Sequence, residues 1–70
     1  MTRLVKQLLH RKPFNPFRIV MRSGQRHEIT DPDRVAINRS FIFWFPPAGR
    51  MERLAKADIE LVYEPRIGRS

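Results

Sequence analysis

Chain breakers recur roughly every six to ten residues from Pro13 to Pro47, and this punctuation limits what that part of the chain can build. Pro13 and Pro16, Ser23-Gly24, Asp31-Pro32, Asn38-Arg39-Ser40, Pro46-Pro47 and Pro65 each interrupt regular structure. Proline fixes φ and removes a backbone donor, while glycine, asparagine and aspartate favour turns. A helix of ordinary length does not fit between such breaks. Short strands do, and strands at this spacing form a sheet that curls onto itself.

The apolar pattern between the breaks has a period of two. Phe17, Ile19 and Met21 alternate with Arg18, Val20 and Arg22. A second strand over 25–30 sets His27 and Ile29 against Arg26, Glu28 and Thr30, and Asp31-Pro32-Asp33-Arg34 then closes a turn. Val35 to Ile37 reads as a third strand, and Phe41 to Phe45 as the strongest of all. A weaker strand over 50–54, a helical turn over 55–58 and a last strand from Ile59 to Tyr63 complete the series. Within the fourth strand the alternation predicts Phe41, Phe43 and Phe45 toward the core, with Ile42 and Trp44 on the opposite side.

Only the opening residues have a helical period. Leu4, Val5, Leu8 and Leu9 fall in one stripe at about 100° per residue, with Thr2 able to cap the helix and Pro13 stopping it. A helix this short is unstable alone in water, so its stripe must dock. The expected architecture over 1–70 is an α+β, mainly β, domain. It has a basic amphipathic helix over 2–12 and a strongly bent five- to six-stranded antiparallel sheet or small barrel over 17–63. The tail at 66–70 is expected to fray.

Seventy residues form a marginal core, burying about 60% of the surface of the unfolded chain. Cysteine is absent, which excludes disulfides and thiolate metal sites, and His10 and His27 are too few for a structural zinc site. Neither metal nor cofactor is expected, and homo-oligomerisation is the brace that remains. At 41% hydrophobic and 30% charged, the composition is that of a globular chain. No apolar run approaches the roughly 20 residues of a membrane span, and no cleavage site follows the leucine stripe, so a cytoplasmic location is expected.

Charge is segregated along the chain. Arg3, Lys6, Arg11, Lys12, Arg18, Arg22 and Arg26 all precede the first acidic residue, Glu28, and the remainder balances seven bases against seven acids. A field of one sign attracts polyanions, so these seven cations are the candidate nucleic-acid contacts, to RNA or DNA, with little sequence readout. Ile42 and Trp44 are the second candidate feature. They are covered by the helix stripe, or they form a subunit interface, or they make a stacking platform for bases.

His27 is read as a partly buried structural histidine, and Asp31 and Asp33 as turn residues. There is no Ser-His-Asp arrangement, glycine-rich phosphate loop or close carboxylate pair. The expectation is a non-enzymatic binding module with no small-molecule substrate. Its alternative is a protein-interaction or self-assembling subunit using Ile42 and Trp44.

The run Pro13-Phe14-x-Pro16-Phe17-x-Ile19, with Ser23-Gly24, Asp31-Pro32 and Asp58-Ile59-x-x-Val62, resembles short bacterial proteins that open with a brief helix and a Pro-Phe-x-Pro-Phe element. That resemblance implies no particular activity. The order of a helix followed by short strands is also similar to the Sm-like RNA chaperones of bacteria. By that resemblance the chain would form a barrel and assemble into rings, and Lys56-Ala57-Asp58-Ile59 would lie in a loop carrying RNA contacts. Pro46-Pro47 and Asp31-Pro32 depart from the pattern of those chaperones.

Overall fold

The computed structural model describes residues 2–65, so the predicted frayed tail lies outside the described residues. The helix α1 (Thr2–Leu9) buries Val5 and Leu8 and half-buries Leu9, while Leu4 stays exposed. It ends earlier than the predicted 2–12. Proline pushes the residue before it toward extended backbone, so Lys12 cannot continue the helix. The last turn tightens instead, with His10 N donating to Lys6 O (3.1 Å) and Arg11 N donating to Leu8 O (3.4 Å). Phe14 then packs edge-on against Phe17, ring centroids 6.1 Å apart, and ties the connection to the core.

Strand β1 (Phe17–Met21) lies between β2 (Arg26–Ile29) and β6 (Ile59–Tyr63), antiparallel to both. Phe17, Ile19 and Met21 are buried, as the alternation predicts. The β1–β2 turn is closed by Met21 N to Gln25 O (2.8 Å) and Gly24 N to Met21 O (2.9 Å), with Gly24 at φ +95°. Val20 pairs with Leu61 but Met21 pairs with Ile59, so Glu60 is an extra residue in β6. That bulge lets Ile59 and Val62, three apart, both reach the core.

The second sheet has the order β3-β4-β5: β3 (Val35–Ile37), β4 (Phe41–Trp44) and β5 (Glu52–Ala55). A 3-10 turn over Pro32–Arg34 precedes it, capped by the Asp31 carboxylate, which accepts from Asp33 N (2.9 Å). In the β3–β4 turn, Asn38 Oδ1 accepts from Ser40 N (2.9 Å) and Phe41 N (2.7 Å). A second 3-10 turn, Lys56–Asp58, returns the chain to β6. Lys56 N donates to Ser40 O on one side of it and Arg22 N to Asp58 O on the other, at 2.9 and 2.8 Å.

Two expectations are corrected here. The six strands form two three-stranded sheets, with neither one bent sheet nor a closed barrel. The two 3-10 turns stand at the crossings between sheets, where they interrupt the ladders. The fifth strand runs over Glu52–Ala55 rather than 50–54, because pairing with β4 sets Leu54 against Ile42 and leaves Met51 exposed.

The faces of β4 are also inverted. Ile42 and Trp44 are buried, Phe41 and Phe43 are half-buried, and Phe45 is 43% exposed. The register gives the reason. Ile42 lies between Ile37 and Leu54, and Trp44 lies opposite Val35, whereas Phe43 lies between Ala36 and Arg53. Burying the phenylalanines would have buried Arg53 with them, a charge without a partner in the core. Ile42 and Trp44 therefore join Val5, Leu8, Phe17, Ile19 and the other buried residues in one cluster.

Candidate functional site

The seven predicted cations are spread over separate surfaces. Arg3 and Lys6 are exposed on α1, and Arg11 and Lys12 are exposed on the segment that follows it. Arg18 and Arg26 lie on the outer face of the first sheet, and Arg22 stands at the exposed β1–β2 turn. Acids absent from the first 27 residues are returned among them by the fold. Glu64 pairs with Arg11, Glu28 lies opposite Arg18, and Asp33 faces the helix end. The segregation visible along the chain is thus diluted in space.

One group does converge. Lys6, His10, Arg11 and Lys12 line a groove of about 660 Å³ together with Leu9, Phe14, Val35 and Ile37, and Pro32 and Asp33 also line it. Val35 and Ile37 belong to β3, an edge strand of its sheet. The early end of α1 makes the groove, since it leaves Arg11 and Lys12 on a chain that can turn along β3. His10 was not singled out by sequence. Its Nδ1 donates to the Lys6 carbonyl (2.9 Å), which fixes the ring at the helix end.

Arg18 has a different setting. Hydrogen bonding with the Tyr63 side chain on β6 raises its pKa above the ordinary arginine value, aided by the charge of nearby Glu28. It serves the sheet surface as well as any ligand. Ile42 and Trp44 lie in the core rather than on an open face.

The outward side of β3-β4-β5 presents what the sequence reading placed inside. Phe41 and Phe43 have ring centroids 6.1 Å apart, and the Arg53 guanidinium lies 4.9 Å from the Phe41 centroid. Phe45 N donates to Arg34 O (2.9 Å), which continues the β3–β4 pairing by one residue and brings Arg34 alongside Phe45. The signal available in sequence was Arg53 beside Leu54. An arginine and a leucine adjacent on one strand take opposite faces, and the arginine marks the outer one.

His27 is half-buried, and its Nε2 is buried without a hydrogen-bond partner among the described residues. Among the described residues, no group of three or more His, Asp or Glu is placed to hold a metal ion. No described helix is long and apolar enough to cross a membrane. No family model, curated protein or solved structure matches the chain.

Proposed function

We propose that this protein is a small non-enzymatic cytoplasmic module that binds nucleic acid through its phosphate backbone, at the groove between the end of α1 and β3. The observation that carries this reading is the convergence of Lys6, His10, Arg11 and Lys12 on one concave surface. Lys6 and Lys12 are exposed, and neither forms an ion pair within the described residues. Arg11 must share its guanidinium between Glu64 and a phosphate, so it contributes less. Asp33 on the groove lining repels a phosphate too close to β3 and directs the backbone toward the lysines.

Contacts of this kind position a nucleic acid without reading its sequence. If Z phosphates are neutralised, log affinity falls with log salt at a slope of about −0.9Z on duplex and about −0.7Z on a single strand. The test is anisotropy of a labelled mixed-sequence oligonucleotide across a salt series. Lys6→Ala and Lys12→Ala should each reduce the slope by about one, and Arg26→Ala, on the outer face of the first sheet, should leave it unchanged. Equal slopes for the wild type and both lysine variants would remove the groove from the reading.

A further inference from the structure

We infer that His10 is a proton-gated phosphate ligand in the groove between α1 and β3. Protonated, it donates a hydrogen bond to a bound phosphate; neutral, it has no donor to offer. The groove therefore binds polyanions more tightly in mild acid, a regulation that rests on the reading of this groove as the polyanion site. His10 follows the last residue of α1 and lines the groove with Lys6, Arg11 and Lys12. Its ring is anchored to the helix, because the Lys6 carbonyl accepts from His10 N (3.1 Å) and from His10 Nδ1 (2.9 Å).

That contact decides the tautomer. A carbonyl oxygen only accepts, so Nδ1 carries a proton in either charge state. In the neutral ring this is the single proton, and Nε2 is left as a lone pair. A phosphodiester oxygen also only accepts, so the two repel. Protonation turns Nε2 into a second N–H donor without disturbing the bond to Lys6, and the ring becomes a cation with one donor free. His10 is exposed, and among the described residues its Nε2 forms no hydrogen bond, so that donor is open to a ligand.

The charged neighbours set the coupling. Lys6 on α1 and Arg11 and Lys12 after it share the groove with the ring, and Arg3 flanks it on the helix surface. Strand β3 contributes Val35 and Ile37, which do not titrate. The carboxylates are Asp33, on the turn before β3, and Glu64, which pairs with Arg11. A further cation beside the two lysines is unfavourable without a ligand, and a bound phosphate offsets that repulsion. Proton uptake and phosphate binding therefore strengthen each other by the same factor. A protonated ring that turned to Asp33 instead would also favour a phosphate, so a variant at Asp33 separates the two routes.

The experiment titrates labelled oligo-dT of about 12 nucleotides over a salt series at about pH 5.5 and about pH 8, a window in which histidine changes charge. The strand has no terminal phosphate, since a monoester with a second pKa of about 6 would itself titrate. Wild type should bind about 2- to 5-fold more tightly at the lower pH, with a salt slope steeper by about 0.7. His10→Gln should bind alike at both pH values. Lys12→Ala should weaken binding at both and keep the ratio between them, and His27→Phe, on the first sheet, should keep it too. Far-UV circular dichroism at both pH values verifies that each variant is folded. If wild type binds equally at both pH values, or His10→Gln keeps the wild-type ratio, the gate is refuted and the groove reading stands. If the ratio is lost in His27→Phe or in Asp33→Asn, the proton acts elsewhere than on a phosphate contact and the gate is refuted. If wild type binds at neither pH even at low salt, the groove reading falls and the gate with it.

Discussion

Trp44→Ala tests the assignment of the two faces of β4. Trp44 is the single tryptophan and is 4% exposed, while its neighbour Phe45 is 43% exposed. A buried aromatic of this size removes about 150–250 Å² from water. At about 25 cal/mol per Å² that corresponds to about 4–6 kcal/mol, and truncations of this kind cost about 3–5 kcal/mol. A domain of 70 residues has about 4–10 kcal/mol of stability in total. Trp44→Ala should therefore remove most of the stability, whereas Phe45→Ala, losing about half as much contact area, should cost about 2–3 kcal/mol. Urea unfolding followed by far-UV circular dichroism measures both. The midpoint for Trp44→Ala should shift about twice as far. A Phe45→Ala midpoint that moves as far as that of Trp44→Ala would refute the assignment of the two faces.

Three smaller perturbations probe the turns and the first sheet. Asn38→Ala removes the acceptor for two backbone donors in the β3–β4 turn and should cost about 1–2 kcal/mol in thermal unfolding, with Asn38→Asp largely restoring it. At Gly24, a Cβ would meet no atom within 4 Å, yet φ is +95°. Gly24→Ala should therefore lose about 1–2 kcal/mol from the backbone alone, and a neutral effect would show that the turn relaxes. His27→Phe replaces the unpartnered Nε2 by carbon. Stability should hold or rise by up to about 1 kcal/mol, and a clear loss would reveal a partner for that nitrogen.

What was legible in the sequence follows from local backbone chemistry. Val35–Ile37 and Ile59–Tyr63 form strands at their predicted bounds. Asp31-Pro32 and Asn38 close the turns by side-chain capping, which needs no distant partner. The period of two correctly divided Phe41–Trp44 into two faces. It could not say which face was inner, because that choice belongs to Ile37 and Leu54, which meet Ile42 only once the register is set.

The candidate site was less legible for the same reason. Seven cations without an acid in the first 27 residues gave an expectation of one field. Sequence proximity does not fix spatial proximity across two sheets, and Glu28, Asp33 and Glu64 return beside Arg18, the groove and Arg11. The sequence by itself determined where strands and turns lie, because proline, glycine and alternating side chains act within a few residues. Only the tertiary structure decided that the strands divide into two sheets, that Trp44 is inside with the phenylalanines outside, and that four groups of the helix end share a groove. Each of these depends on pairing between residues far apart in the chain, where the burial of Leu54 and the exposure of Arg53 settle the outcome together.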